Sequence, residues 1–269
     1  MTSGGTAPDL RTELLELARA TAEEAAALVG AGRSTAAAQV DTKSSPVDVV
    51  TAVDTASEAL IVRRLLEARP DDGVLGEEGA STEGTSGVRW VVDPIDGTVN
   101  FLYGLPQYAV SIAAEQDGVI VAGVVINAAT GVEYAATLGD GATRDGRSLA
   151  VRATPPLGER LVLTGFHYDA ELRGLQAAAV ARLLPRVRDI RRLGSCALDL
   201  CHLAEGSADA YLEEGASLWD HAAGALIARE AGATTRILRG VGGRELLVAA
   251  PGAGFEEFLA AAMEAGFLA

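Results

Sequence analysis

The sequence predicts an α/β (α+β) chain in which two stacked β-sheets alternate with helices, a layered αβαβα arrangement. Two observations lead there. Residues 107–151 are β-branched runs broken by tight-turn pairs, which reads as an antiparallel meander. From about residue 160 strand-like and helix-like stretches alternate, which reads as a second, mixed sheet with helical crossovers. An antiparallel half followed by an alternating half implies helical layers between and outside two sheets.

Each element follows from its local pattern. Leu10, Leu14, Leu17 and Leu28 mark one face of an alanine-rich helix over 9–31. A loop, Asp41 to Pro46, precedes Val47–Asp54 and a second helix over 54–68, with Ile61, Leu65 and Ala68 on one face and Pro70 as its stop. Val74 to Gly79 is a short strand that runs out into acidic residues, and 80–88 is a polar loop. Gln107–Glu115 and Val119–Asn127 form a hairpin about Gln116-Asp117-Gly118, with further turns at Thr130-Gly131 and Arg144-Asp145-Gly146. The second half reads as strand 160–165, helix 170–184, strand 187–192, helix 195–205, strand 208–213, helix 219–231, two more strands and a helix over 254–265. No repeat or long linker divides the chain. The expectation is one compact unit with an N-terminal half, 1–151, and a C-terminal half, 152–269.

Bulk properties narrow the function. With 269 residues, 49% of them hydrophobic, the chain can bury a sizeable core. A net charge of −15 argues against nucleic acid or an anionic membrane as partner. It suits a site that gathers divalent cations and, through them, an anionic substrate. No apolar run approaches the roughly 20 residues of a membrane span, and Met1 to Asp9 lacks the blocks of a signal peptide, so a soluble cytoplasmic protein is expected. Cys196 and Cys201 read as small buried hydrophobes, and three histidines leave little for a structural zinc site.

The chemistry concentrates in the run Trp90-Val91-Val92-Asp93-Pro94-Ile95-Asp96-Gly97-Thr98-Val99-Asn100-Phe101. Apolar residues lead into two carboxylates three apart. Pro94 has no N–H for the ladder and Gly97 permits a tight path, so both carboxylates project from one corner. Oxygen ligands on a rigid turn suit Mg2+ or Mn2+. Glu77 ends the preceding strand, and Asp220 follows Trp219 at a helix start. Each has a plainer reading: the Asp-Pro pair as a turn, Asp220 as a first-turn acid favoured by the helix dipole, Asp54 as an N-cap. A calcium loop is excluded, because Asp93-Pro94-Ile95-Asp96 lacks the alternating acidic spacing.

These segments together resemble the inositol monophosphatase family of magnesium-dependent, lithium-sensitive phosphatases. The resemblance runs from Lys43-Ser44-Ser45-Pro46-Val47-Asp48-Val49-Val50-Thr51 and Asp54, through Gly76-Glu77-Glu78 and Trp90–Phe101, to Arg192-Leu193-Gly194-Ser195-Cys196-Ala197, Trp219–Gly224 and Glu230-Ala231-Gly232. It implies the layered sugar-phosphatase fold, two or three Mg2+ ions (replaceable by Mn2+), and a homodimer. Glu77, Asp93, the Ile95 carbonyl, Asp96 and Asp220 would be the metal ligands. Thr98 would bond Asp54 and, with Glu77, orient the attacking water, while N–H groups of Gly97 and Thr98 hold the phosphate. Gly194, Ser195 and Cys196 would line the polyol side, and Glu213 would accept from ring hydroxyls; the plainer reading of Glu213 is an exposed strand-end acid.

The implied reaction is hydrolysis of a small phosphate monoester, most simply myo-inositol 1-phosphate. The alternatives are histidinol phosphate or another sugar or nucleotide phosphate, and a non-catalytic metal-binding relative. The chain departs from the family pattern at Ala233, where a second glycine is usual, and in the short Gly/Arg-rich segment 234–244. His221 reads as surface packing, or as a neighbour that tunes one metal position, and Ser217 falls near the pocket rim.

Overall fold

In the computed structural model, residues 9–36, 40–42 and 49–269 are described, with side chains from 9–33 and 51–269. The Lys43–Pro46 loop and the part of its motif up to Asp48 lie outside them.

The elements run in the order α1 (Leu10–Ala36), β1 (Val40–Thr42), β2 (Val49–Thr51), α2 (Ala52–Ala68), β3 (Gly73–Gly76), β4 (Ser81–Thr82), β5 (Val88–Asp96) and α3 (Thr98–Tyr103). The meander follows as β6 (Ala109–Gln116), β7 (Val119–Asn127), β8 (Glu133–Thr137), β9 (Gly141–Arg144) and β10 (Arg147–Ser148). The alternating half contains β11 (Leu161–Thr164), α4 (Ala170–Leu183), β12 (Asp189–Arg191), α5 (Cys196–Ala204), β13 (Ala210–Glu214), α6 (Leu218–Glu230), β14 (Ala233–Arg239), β15 (Glu245–Pro251) and α7 (Phe255–Ala265). The hairpin turns have the expected chemistry: Asp117 and Gly118, like Asp145 and Gly146, all take positive φ, the type I′ pattern that matches strand twist.

An eight-stranded sheet, ordered β10-β9-β8-β7-β6-β5-β3-β4, stacks over a five-stranded sheet, ordered β12-β11-β13-β15-β14. Helices α1 and α2 cover the outer face of the first sheet, α5 and α6 lie between the sheets, and α4 and α7 cover the second. The αβαβα layering is therefore present. Burial explains it: Leu14, Ala18, Ala22, Ala25 and Val29 of α1 pack with Ile112, Val124 and Ile126. On the opposite face Val91, Ala113 and Val125 meet Ala197, Ala223 and Leu226.

Three expectations need correction. The first sheet is mixed, because β3 runs parallel to β5. The 80–88 segment contains a two-residue strand, β4, paired with β3. Helix α2 begins at Ala52, not Asp54, since Thr51 caps it and accepts from the Val53 and Asp54 N–H groups.

Candidate active site

Strand register builds the site. Gly76 of β3 lies beside Val92 of β5, so the next residues, Glu77 and Asp93, emerge side by side at the same sheet end. The Glu77 N–H donates to the Val92 carbonyl at 3.2 Å. Pro94 does not end the strand as expected; β5 continues to Asp96 through a bulge. Asp93 pairs with Ser111 and Asp96 with Ala109, which places one extra residue on β5. Residues three apart in an unbroken strand face opposite sides. The extra residue turns Asp96 back to the side of Asp93, and both carboxylates line one cavity of about 300 Å³.

Gly97 makes the exit from β5 possible. Its φ is +95°, and a Cβ there would lie 2.8 Å from the Gln107 carbonyl and 3.0 Å from that of Gly194. The chain then enters α3 at Thr98. The Thr98 hydroxyl sits 3.1 Å from both Asp54 Oδ1 and the Ile95 carbonyl, and its single proton goes to one of them. Asp54 is buried behind the wall at the third position of α2, where it accepts from the Thr51 N–H at 2.9 Å and from the Thr51 hydroxyl.

From the second half, α5 and α6 aim their N-termini at the same cavity. Asp96 Oδ2 accepts from the Ser195 hydroxyl at 2.6 Å and the Ala197 N–H at 2.7 Å. Ser195 thus holds Asp96, while its neighbours Gly194 and Cys196 form the wall. Asp220, in the first turn of α6, accepts from the Ser217 N–H at 2.6 Å and also lines the cavity. Both the capping role and the cavity position are real for this residue. Glu213 is half-buried in β13, 2.9 Å from the Tyr211 hydroxyl, which also lies 2.9 Å from Cys196 Sγ.

The wall holds six carboxylates, Glu77, Asp93, Asp96, Glu213, Glu214 and Asp220, against one guanidinium, Arg192. Burial raises Asp93 well above the usual range, and Glu77, Asp96 and Asp220 add to it. Burial likewise raises Asp220, with Asp96 and Glu77 contributing. Asp96 is pushed up to about 7 by burial, against the pull of its bonds from Ser195 and Ala197. A carboxylate whose folded pKa exceeds its unfolded value binds more protons when folded, so its stability contribution is lost as pH rises through the folded pKa. Chelator-treated protein should lose on the order of 1 kcal/mol or more between about pH 6.5 and pH 8, with Mg2+ flattening the slope in thermal melts. A slope unaffected by Mg2+ contradicts this.

These groups fit hard divalent cations. The donors are all oxygen, their burial makes mutual repulsion costly, and the wall supplies too little positive charge of its own. Among the described residues no three acidic, histidine or cysteine side chains converge on a single point as placed; Asp96 and Asp220 each commit one oxygen to N–H donors, which leaves the other.

Sequence reasoning missed several wall residues. Arg192 stands within a recognised segment, but nothing in sequence marks it as the lone cation. Glu214 is 2% exposed and accepts from the Gly242 N–H at 2.8 Å and the Arg244 N–H at 3.1 Å, which pins the Gly/Arg-rich turn to the rim. Phe166, His167 and Tyr168 also enter from the β11–α4 connection, with no sequence signal to announce them. His221 is not surface packing: it is 6% exposed, and burial, with Arg229 adding, holds its pKa down to about 4.

The model of the inositol monophosphatase family matches residues 10–265. An inositol-1-monophosphatase of Mycobacterium leprae (strain TN) is 45% identical, over 96% of this chain and 96% of that protein. The solved structure of Mycobacterium tuberculosis SuhB superposes with a TM-score of 0.84 at 40% identity, covering 97% of this chain and 100% of the other. A Nus factor SuhB of Pasteurella multocida (strain Pm70) is 40% identical over 71% of this chain and 72% of its own length. Fold and acid-lined cavity together define a phosphoric monoester hydrolase. More narrowly, the chain belongs to the inositol monophosphatase family.

Proposed function

We propose that the enzyme hydrolyses myo-inositol 1-phosphate to myo-inositol and phosphate with Mg2+, for which Mn2+ can substitute. The observation that carries this is the β5 bulge, which sets Asp93 and Asp96 on one face beside Glu77 and in the same wall as Asp220. Glu77, Asp93, the Ile95 carbonyl, Asp96 and Asp220 would hold two or three ions. Bound there, such cations supply Lewis acidity for a water and for the leaving oxygen.

The chain's own groups do the positioning. Asp54 takes the Thr98 proton, which leaves the Thr98 oxygen facing the cavity as an acceptor that orients a water. Glu77, in the same wall, would accept a proton from that water. The N–H groups of Gly97 and Thr98, at the start of α3, would hold the phosphate. Gly194, Cys196 and Glu213 form the polyol wall, and Ser195 acts through Asp96. Glu213→Gln should raise KM for inositol 1-phosphate about ten- to thirtyfold with kcat changed only a few-fold, as expected for a lost charged hydrogen bond. Steady-state kinetics on both proteins decide it; an unchanged KM removes Glu213 from the substrate wall.

A panel of phosphomonoesters at fixed Mg2+ tests the substrate. Inositol 1-phosphate should turn over fastest and Li+ should inhibit. Fast turnover of histidinol phosphate with none of inositol 1-phosphate overturns the assignment. The reading also includes a cytoplasmic homodimer. Exposed Tyr103 and Leu105 at the end of α3 supply an apolar patch for pairing, and light scattering separates one chain from two. Among the described residues no helix is long and apolar enough to cross a membrane.

A further inference from the structure

One face of α2 carries three buried polar side chains, Asp54, Ser57 and Glu58, on the stripe that continues as Ile61 and Leu65. Each reaches a different piece of the catalytic corner. Asp54 Oδ1 lies 3.1 Å from the Thr98 hydroxyl, and the Ser57 hydroxyl donates to the Pro94 carbonyl at 3.3 Å. Glu58, 6% exposed, grips the turn that joins β3 to β4. Its Oε2 accepts from the Glu78 N–H at 2.8 Å and its Oε1 from the Ala80 N–H at 3.0 Å.

This contact calls for a carboxylate. Two N–H donors face two separate oxygens, whereas a glutamine would turn its own NH2 towards one of them. No Lys or Arg pairs with Glu58 among the described residues, so backbone donors alone hold a charge that burial makes costly. The fit is close as well: a Cβ on Gly76 would overlap the Glu58 carboxylate.

What the grip fixes is Glu77. The peptide before Glu77 is held by its N–H on the Val92 carbonyl at 3.2 Å. The peptide after it is held by the Glu78 N–H on Glu58. With both flanking peptide planes fixed, φ and ψ of Glu77 are fixed too, and with them the direction in which its side chain leaves the backbone. We propose that Glu58 is a positioning residue that presents Glu77 to a metal ion beside Asp93, touching neither ion nor substrate itself. The inference rests on the proposed metal role of Glu77.

The test is Mn2+ binding to the full chain, read from the EPR signal of the free ion. Glu58→Gln should bind Mn2+ about ten- to a hundredfold more weakly, as loss of the outer partner of a metal ligand does. The Mg2+ needed for half-maximal phosphate release from inositol 1-phosphate should rise by a similar factor, with KM at saturating Mg2+ within about twofold of the parent. Gly118→Ala, in a turn where nothing lies within 4 Å of the added carbon, controls for lost stability alone and should bind Mn2+ as the parent does. If Glu58→Gln does not fold, the parent decides. In chelator its Glu78 and Ala80 amides should exchange at least about a hundredfold slower than in a free peptide, and fast exchange at either overturns the grip. Equal Mn2+ affinity in Glu58→Gln and the parent, or a loss matched by Gly118→Ala, overturns the positioning role. A parent that binds no Mn2+ overturns the metal role of Glu77 and this inference with it.

Discussion

Asp93→Asn should lower turnover by roughly three orders of magnitude, about 4 kcal/mol of transition-state stabilisation, without unfolding the protein. Asp93 is 1% exposed and emerges beside Glu77, in the same wall as Asp96 and Asp220. Asparagine keeps the acceptor that now takes the Ile95 N–H at 3.0 Å, so the bulge has no reason to rearrange. It also removes a buried carboxyl whose ionisation is disfavoured first by burial and then by the neighbouring charges of Glu77, Asp96 and Asp220. In chelator the variant should therefore melt at or above the parent. With Mg2+ added the order should reverse, because the parent gains binding energy that the variant lacks. Kinetics and paired thermal melts read both effects. Near-normal turnover, or a Mg2+ stabilisation equal to the parent's, contradicts the role given to Asp93.

The second large effect is on folding. Gly97→Ala should destabilise the protein by about 3 kcal/mol, roughly 6 °C in melting temperature, and abolish measurable activity. Left-handed backbone accounts for part of this. The rest is steric: the new Cβ would meet the Gln107 and Gly194 carbonyls at 2.8 and 3.0 Å and Tyr108 Cα at 3.3 Å, all backbone atoms that cannot swing away. Gly118→Ala is the control, because its φ is +83° but nothing lies within 4 Å of the added carbon. That variant should lose only about 1 kcal/mol and keep full activity. Equal losses in the two would show that backbone strain alone, and not the close approach of the 107 and 194 segments, requires glycine at 97.

The parts of this molecule legible in its sequence are those governed by local periodicity. The hairpin through Gln116-Asp117-Gly118 and the bounds of β7 follow from β-branched runs and turn chemistry. Helices in the second half fall within a residue or so of expectation, because each buries an apolar face, α5 and α6 between the sheets and α4 and α7 against the second. What the sequence conceals is register. Nothing in Asp93-Pro94-Ile95-Asp96 says that the strand continues past proline with one residue extra, though that is what puts two odd-spaced carboxylates on one face. The parallel pairing of β3 with β5 is equally silent, yet it sets Glu77 beside Asp93.

Roles that depend on long-range partners are concealed in the same way. Ser195 looks like a substrate contact from its place in a recognised segment, whereas its hydroxyl is turned to Asp96, ninety-nine residues away. Glu214 carries no signal in the sequence and His221 reads as surface packing, and only the packed structure shows both buried. Asp54 reads as a helix cap, but Thr51 takes that place and frees one Asp54 oxygen for Thr98.

The most direct measurement is anomalous diffraction from crystals of the full chain soaked in Mn2+. The account predicts at least one strong peak bounded by carboxylate oxygens of Glu77, Asp93, Asp96 and Asp220, and its loss from crystals of Asp93→Asn. A cavity without a peak at saturating Mn2+, or ions found only at surface acids elsewhere, contradicts it.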